Sequence, residues 1–498
     1  MGNFFKIKMV VSASIVLLIA IIIAGWWQQL GTLFTVGKYG DVDDMVETIM
    51  AKTATPGVAM VSSKQGRTEF KVYGFADVDQ QKEVNEESLF ELGSTTKAFT
   101  ALAIILLKEE GYLAYSDNVS DYLSTFAPTF KGEKANITIN QLLAHTSGIP
   151  SWSIQLIPEG TTSETLGNTI HKISDIALDT YPGTEYQYAT VNYDILAMII
   201  EKVTGISYQD YVTQNVLLPL GMTDSYFSTG QEKKPDQLSR GYRVFFGKSL
   251  EYDAPRYYGN IAAGYLVSNI KDLARWTNAQ MGIGDIPDNL RKAILQSHEA
   301  DLQSAGYEAE GQYYSYGWSN DLEKRMISHT GSNPNYSSHV IIDLERQEGI
   351  FVLSNLNSTA SSLIAQNIYE NMNGKPMTPF KYDDSYILID WVFSFLVLLA
   401  VISISVKAIK LAGADIQTMH TKRSRRRKRI GAGIYLISKV LLLILILIWP
   451  YLINYSYYMI SVWMSYSVLL WMGLAAISCV LSIILKGKRI AALVRIID

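Results

Sequence analysis

The chain has 498 residues, carries a formal net charge of −4 at pH 7, and is 48% hydrophobic. Its one cysteine excludes a disulfide framework. Its six histidines form no His-x-x-x-His pair or similar ligand pattern, so we expect neither a metal site nor a bound cofactor.

An uncharged apolar run near the N-terminus extends from Met9 to Trp27, and Lys6 and Lys8 precede it. Such a run is either a signal anchor or a cleaved signal peptide. We favour the anchor because the run is longer than the roughly 7–15 apolar residues of a typical signal peptide. Residues 1–35 are therefore predicted to be an N-terminal transmembrane anchor.

Three more apolar runs lie near the C-terminus, and each is long enough to cross a membrane: Ile389–Lys407, Ile434–Leu452 and Val462–Leu485. The basic run Lys422–Arg429 lies between the first two of them, and basic loops stay in the cytoplasm. This rule places the basic loop and both termini in the cytoplasm. Residues 378–498 are predicted to be a three-span membrane region. A basic run beside a membrane span typically determines the orientation of the spans. We therefore expect a lipid bilayer as a partner and no nucleic acid.

Residues 36–377 are predicted to form an outer, extracytoplasmic domain with strands at both ends. Thr55–Val78 and Ser337–Asn355 are each typical of a β-hairpin, and the segment RMISHTG can supply a further strand. Helical patterns lie between the hairpins: Lys97–Glu110, Ile139–Leu143, Asn192–Val203, Ser207–Val216 and Lys271–Met281. The pattern predicts an α+β fold in which one antiparallel sheet is built from both termini and the insert is mainly helical.

Ser94-Thr95-Thr96-Lys97 stands where an apolar helix begins, and it has two interpretations. Ser94 is an acceptable helix cap. Residues three apart also share a helix face, so Lys97 can lie against the Ser94 hydroxyl, and a lysine in a dry cleft can act as a base. Ser268-Asn269-Ile270-Lys271 has the same spacing, and there we predict a helix N-cap.

Two further segments carry side chains suited to the same chemistry. Tyr188 stands just before a helix, where its phenol is either an aromatic staple of the helix start or a group that moves a proton. His329-Thr330-Gly331 stands at a strand end, which is either an ordinary turn or a site where the next amide, of Ser332, points at a ligand.

Taken together, Ser94-Thr95-Thr96-Lys97, Tyr188-Ala189-Thr190 and His329-Thr330-Gly331 resemble the three motifs of serine β-lactamases and penicillin-binding proteins. Those motifs are S-x-x-K, Y-x-N or S-x-N, and K-T-G, and their order and spacing are similar here. Four more segments resemble the class C-like branch of that family: LLAHTSGIP (142–150), PLGMTDSYF (219–227), AAGYLVSNIKDLARW (262–276) and YGWS (316–319). With its three C-terminal spans, the chain is similar to the FmtA-like membrane proteins of Gram-positive bacteria.

The resemblance implies a β-lactamase/transpeptidase-like fold and a role for each motif. Ser94 would attack a carbonyl, and Lys97 and Tyr188 would move its proton. The amides of Ser94 and Ser332 would form an oxyanion hole. The remaining residues of the second and third motifs would contact substrate: Thr190, His329, Thr330 and Gly331.

Two departures from the family pattern concern substrate choice. Thr190 replaces the usual Asn and shortens the polar arm that contacts the lysine and a substrate amide. His329 replaces the usual Lys, so the site lacks most of one positive charge at neutral pH. Neither change prevents acyl transfer.

The sequence thus predicts a membrane-anchored serine hydrolase that acts outside the cytoplasmic membrane through an acyl-enzyme. We expect a cell-wall or teichoic-acid-type substrate such as a D-alanyl ester, and poor penicillin binding. Two alternatives stay open: a penicillin-binding carboxypeptidase or β-lactamase, and a catalytically weak scaffold that recruits partners through its spans. The motifs do not specify an oligomeric state.

Overall fold

The structure is a computed structural model that describes residues 38–229, 235–299, 305–381, 384–412 and 422–495. Its contacts divide the chain into two compact units. The larger unit comprises Val36–Arg243 and Ser249–Lys381, and the smaller unit includes Val244–Lys248 and the chain from Tyr382 onward. The predicted N-terminal span, Met9–Trp27, lies outside the described residues.

One antiparallel sheet is the centre of the larger unit. Its nine strands lie in the spatial order Gly306–Ala309, Gln312–Ser315, Trp318–Asp321, Met326–Asn333, Tyr336–Asp343, Glu348–Ser354, Gly57–Lys64, Arg67–Asp77 and Lys82–Glu83. The two ends of the unit meet where Val58 pairs with Ser354 and Lys64 with Glu348. The prediction of a sheet built from both termini is confirmed.

Turn chemistry explains why the first hairpin forms where it does. Gln65 has a φ of 51° and Gly66 a φ of 82°. Two consecutive positive φ values are typical of the primed turns, whose twist matches that of the flanking strands. Glycine supplies one of the two values without steric cost.

The chain between the strands Lys82–Glu83 and Gly306–Ala309 is mainly helical. Its α-helices are Lys97–Glu109, Val119–Tyr122, Ile139–Leu143, Glu164–Lys172, Val191–Thr204, Tyr208–Val212, Ile261–Gly264, Ile270–Gln280 and Asp288–Ser297, with Val42–Thr53 before the sheet and Ala360–Met372 after it. Short 3₁₀ turns cover Gly93–Thr96, Ser151–Leu156, Leu218–Leu220 and Tyr258–Asn260, and Thr213–Leu217 is a π-helical turn. Three small sheets lie in the same stretch of the chain: a three-stranded sheet of Phe90–Glu91, Leu266–Ser268 and Tyr226–Phe227, and two strand pairs, Thr129–Phe130 with Glu133–Lys134 and Tyr242–Phe245 with Lys248–Glu251. The architecture is the predicted α+β fold.

The helix Lys97–Glu109, called the Lys97 helix below, is almost entirely buried in the insert. Every residue from Lys97 to Leu107 is buried. The helix Val191–Thr204, called the Asp194 helix, packs against it. Because both helices are apolar on nearly every face, their first turns are held in a dry environment.

The second Ser-x-x-Lys match, Ser268–Lys271, contains a helix N-cap, as predicted. Asn269 caps the helix Ile270–Gln280, because its side chain accepts a hydrogen bond from the Asp272 amide at 2.9 Å. Ser268 bonds instead to the Ser225 hydroxyl at 2.8 Å. The prediction of an N-cap holds for the segment, but Ser268 is not the capping residue.

In its described residues the smaller unit contains three long helices, Ser385–Ala412, Lys422–Leu452 and Tyr466–Arg495, and the short helix Tyr457–Trp463. Within the described residues the long helices supply three candidate membrane spans: Ser385–Leu411, Gly431–Leu452 and Tyr466–Lys488. The basic run Lys422–Arg429, predicted as a loop, is helical, which its composition allows because Arg and Lys are good helix formers. Asp390 is buried in the first helix and accepts a hydrogen bond from the Gly247 amide at 2.7 Å.

Candidate active site

Ser94 lies in a tight 3₁₀ turn that runs directly into the Lys97 helix. Gly93 begins that turn with a φ of 58°, and a Cβ built there would lie 2.5 Å from the Ser332 nitrogen. Only glycine accepts both the conformation and the close approach. Neither the 3₁₀ turn nor the Lys97 helix has a side-chain cap, so the structure does not use Ser94 as one.

Lys97 is fully buried and points at Ser94. Its Nζ donates to Ser94 Oγ at 2.9 Å and to the Ala263 carbonyl at 2.9 Å. Burial lowers the pKa of Lys97 to about 7, although the Asp194 carboxylate acts in the opposite direction. A large fraction of this lysine is therefore neutral near pH 7, in contact with the serine hydroxyl.

Tyr188 completes the hydrogen-bonded group around Ser94. Its side chain is hydrogen-bonded to Ser94, and its ring centroid is 5.1 Å from Lys97 Nζ. Burial raises the pKa of Tyr188, so the phenol keeps its proton at neutral pH. In this form Tyr188 can donate a proton but does not start as a base.

His145 holds Tyr188 in place, a role that the sequence did not indicate. The two rings are 4.2 Å apart between centroids. His145 Nδ1 accepts from the Asn192 side chain at 2.9 Å, and Ser147 donates to the other end of that amide at 2.9 Å. Burial lowers the pKa of His145 well below its usual range, so the ring is neutral. The segment LLAHTSGIP carried the signal, but only as a family signature.

His329 is buried and neutral beside this group. Its Nδ1 lies 2.8 Å from the Thr330 carbonyl, which can only accept, so Nδ1 carries the proton. Its Nε2 then accepts from the Tyr314 hydroxyl at 2.9 Å. Burial, followed by the charge of Lys97, lowers the pKa of His329 to about 3.

The strand Met326–Asn333 brings the third motif against the Ser94 turn. The neighbouring strand Trp318–Asp321 pairs with it only as far as Ser328. From His329 onward, that edge of the strand therefore packs against the Ser94 turn. A Cβ on Gly331 would lie 1.9 Å from the Leu92 carbonyl oxygen. Glycine thus permits the approach that sets the Ser332 nitrogen beside Gly93, next to Ser94.

The remaining two predicted residues lie at the edges of the group. The Thr190 hydroxyl donates to Asn260 at a long 3.4 Å, while Lys97 uses the Ala263 carbonyl as its second partner. The Thr330 hydroxyl lies 2.7 Å from His339 Nδ1 on the adjacent strand. The structure therefore gathers all three motifs at one place, with Ser94, Lys97 and Tyr188 in mutual contact.

A serine hydrogen-bonded to a buried lysine and a tyrosine, at the junction of an antiparallel sheet and a helical insert, is the arrangement of the class of serine hydrolases that comprises β-lactamases and penicillin-binding proteins. The model of the Beta-lactamase family matches residues 42–371. This chain belongs to the β-lactamase family.

Relatives of known sequence and structure agree with this assignment. The chain is 31% identical over 391 residues to Protein flp of Staphylococcus aureus, with 77% of each chain covered. It is 29% identical over 337 residues to Penicillin-binding protein 4* of Bacillus subtilis, covering 64% of this chain and 72% of the relative.

Solved structures share the fold. The octameric penicillin-binding protein homologue from Pyrococcus abyssi has a TM-score of 0.58 and 26% identity, and the match covers 71% of this chain and 81% of the homologue. A class C β-lactamase has a TM-score of 0.56 at 22% identity, with 66% of this chain and 95% of the lactamase covered. At that identity the second match concerns the fold alone.

Proposed function

We propose that the protein is a membrane-anchored serine hydrolase that works outside the cytoplasmic membrane by forming an acyl-enzyme on Ser94. One observation carries the proposal: Lys97 Nζ is fully buried, has a pKa lowered to about 7, and lies 2.9 Å from Ser94 Oγ. A lysine in this state is an effective base for a serine nucleophile.

In the acylation step, Lys97 takes the proton of the Ser94 hydroxyl as Ser94 Oγ bonds to the substrate carbonyl carbon. The electron pair of the carbonyl moves to its oxygen, and the amides of Ser94 and Ser332 stabilise that negative charge. Tyr188 gives its proton to the leaving alcohol or amine as the bond to the carbonyl carbon breaks. Lys97 then returns a proton to Tyr188, which restores both groups.

Deacylation reverses these roles with water as the nucleophile. As water attacks the acyl carbon, its proton passes to Tyr188 while the phenol proton of Tyr188 passes to Lys97. The ester bond to Ser94 then breaks, and Lys97 returns the proton to Ser94 Oγ. The free acid leaves. Every proton transfer of the proposed cycle takes place among Ser94, Lys97, Tyr188, the leaving group and water, so the cycle uses no cofactor.

The electrostatics of the site favour a substrate without a carboxylate near the reacting carbonyl. His329 is neutral where the family motif has a lysine, and the short Thr190 replaces an amide. Penicillins and D-alanyl peptide termini carry a carboxylate that a cation would bind, whereas D-alanyl esters of teichoic acids carry a cationic amine. We propose an ester of that envelope class as the substrate.

The location of the site is part of the proposal. Three candidate spans in the described residues and the basic run Lys422–Arg429 support a multi-pass protein whose basic segment and both termini are cytoplasmic. The hydrolase domain of residues 36–377, between the anchor of residues 1–35 and the membrane region of residues 378–498, is then extracytoplasmic. These boundaries stay predictions.

Covalent labelling tests the proposal directly. A fluorescent fluorophosphonate should label the full-length protein once per chain, and Ser94→Ala should abolish labelling while the protein stays folded. Ser268→Ala is the matched control, because it alters the other Ser-x-x-Lys segment, and it should keep the label. Equal labelling of Ser94→Ala would reject the nucleophile, and no labelling of the wild type would favour the scaffold alternative.

Substrate profiling separates the remaining alternative. The wild type should hydrolyse carboxylate-free esters and be acylated slowly by penicillin. Rapid acylation by micromolar penicillin would replace the esterase proposal with a penicillin-binding carboxypeptidase or β-lactamase.

A further inference from the structure

A buried carboxylate stands beside the catalytic group and has no role in the mechanism above. Asp194 is the fourth residue of the Asp194 helix and is 0% exposed. Neither of its carboxylate oxygens has a hydrogen-bond partner among the described residues. Its neighbours Tyr193, Ile195 and Leu196 are also fully buried.

An acid in this position lowers the stability of the fold. A buried carboxylate without hydrogen bonds loses its hydration, and an apolar residue would pack between the two helices without that loss. Packing therefore does not explain why the residue is acidic. The explanation has to come from a charge that the carboxylate faces.

Lys97 is the charge closest to this part of the helix, because its Nζ lies 5.7 Å from the ring centroid of Tyr193, the residue before Asp194, and the two helices pack together. The Asp194 carboxylate favours the ammonium form of Lys97, and it is the one group that does so among the electrostatic influences on this lysine. Burial raises the pKa of Asp194 well above its usual range, and Lys97 acts against that rise. Each charge of the pair thus stabilises the other in a site that disfavours both.

The other titratable groups around the pair are neutral. Two histidines face Lys97: His145, in the loop after Ile139–Leu143, and His329, in the strand Met326–Asn333. Burial lowers the pKa of both, so both are uncharged. Tyr188, Tyr193 and Tyr208 surround the pair, and burial raises the pKa of each phenol. Glu308 acts on Tyr188 from outside this group. Asp194 is therefore the anion available to Lys97.

We propose that Asp194 is a positioning residue that serves as the buried counterion of the Lys97 ammonium formed during catalysis. At pH values above the apparent pKa of the pair, Lys97 is neutral and Asp194 is ionised, and this is the reactive form. When the O–H bond of Ser94 breaks, the proton bonds to Lys97 Nζ, and the ammonium forms beside a carboxylate that is already in place. This inference rests on the proposed function, because it assigns to Asp194 a role that acts through Lys97 as the base.

The pH profile of the full-length protein in detergent tests the counterion role. With a carboxylate-free nitrophenyl ester, the acid limb of kcat/KM reports the uptake of one proton by the Lys97–Asp194 pair. Asp194→Asn keeps the shape of the side chain and removes its charge. The ammonium is then less stable, so the acid limb should move to lower pH by about 1 unit or more, and the plateau rate should fall.

Glu201→Gln is the matched control. It neutralises a second carboxylate of the same helix, which is only partly buried, accepts from the Tyr208 amide at 3.0 Å and does not act on Lys97. Its acid limb should coincide with that of the wild type. An Asp194→Asn enzyme that loses activity equally at every pH, with its limb unmoved, would show a purely structural role and overturn the inference.

A stability measurement covers the case in which Asp194→Asn does not fold. In Lys97→Met the buried Asp194 has lost its cation, so the folded state holds the Asp194 proton to higher pH than the unfolded state does. A raised folded pKa gives stability that is present at low pH and is lost as pH rises, so the Tm of Lys97→Met should fall between about pH 5 and 7 more steeply than the Tm of the wild type. Equal slopes would overturn the inference.

The outcomes for the two proposals differ. A wild type that fluorophosphonate does not label at Ser94 rejects the proposed hydrolase. A labelled, active wild type whose acid limb is unchanged in Asp194→Asn leaves the hydrolase in place and rejects the role of Asp194 alone.

Discussion

The substitution His329→Lys tests whether one missing charge sets substrate choice. His329 is neutral, with a pKa of about 3, and lies in the group that surrounds Ser94 and Lys97. A lysine there would restore the cation of the family motif. A hydrogen bond to a charged group contributes about 1.5–3 kcal/mol, and 1.4 kcal/mol corresponds to a factor of about ten.

Two features of the site reduce this gain. The introduced lysine would be desolvated, and it would share the site with the Lys97 ammonium, so part of its charge would be lost. We therefore expect the lower end of the range. The ratio of penicillin acylation to ester hydrolysis should rise about tenfold in His329→Lys.

The assay measures the second-order rate constant for acylation by a fluorescent penicillin and kcat/KM for a carboxylate-free ester, both at pH 7. The ratio removes effects that are common to both substrates, such as a general loss of active protein. His329→Gln is the control, because it remains neutral and can still bond to Tyr314, and its ratio should match that of the wild type. An unchanged ratio in His329→Lys would refute the charge argument.

Three further predictions follow from the same geometry. Because the pKa of Lys97 is about 7 and its neutral form is the proposed base, kcat/KM for the ester should rise about tenfold per pH unit below 7 and level off above it, and a flat profile from pH 5 to 9 would contradict this role. Gly331→Ala should cost about 1–3 kcal/mol of stability and abolish labelling of Ser94, because the new Cβ would lie 1.9 Å from the Leu92 carbonyl oxygen; Gly167→Ala, with a nearest contact of 3.9 Å, should retain both stability and labelling. Protease added to intact protoplasts should remove the hydrolase domain and spare a tag beside Lys422–Arg429, and loss of that tag first would overturn the proposed topology.

Local pattern was enough to predict the architecture. Alternating and β-branched runs located the strands on either side of Lys64–Gly66 and around residues 337–355, and both hairpins are present. The helices at Lys97, Ile139, Asn192 and Lys271 begin within a residue or two of their predicted starts. These features follow from the sequence because periodicity and turn residues act over a few neighbouring positions.

The three motifs were also recognisable, but the sequence could not say what state their side chains adopt. Two Ser-x-x-Lys segments have equal spacing, and only the fold buries Lys97 against Ser94, whereas Ser268 bonds to Ser225. That difference depends on residues such as Ala263, which is 166 positions from Lys97.

The tertiary structure alone decided the charges of the site. From the sequence alone, the ordinary pKa of histidine predicts that His329 is mostly neutral at pH 7. In the fold, burial beside Tyr314 and Lys97 lowers that pKa and keeps His329 neutral throughout the physiological range. In the sequence, nothing distinguishes Asp194 from other acidic residues of helices. The physical reason is common to both residues: a pKa depends on desolvation and on charges that meet only when distant segments pack together.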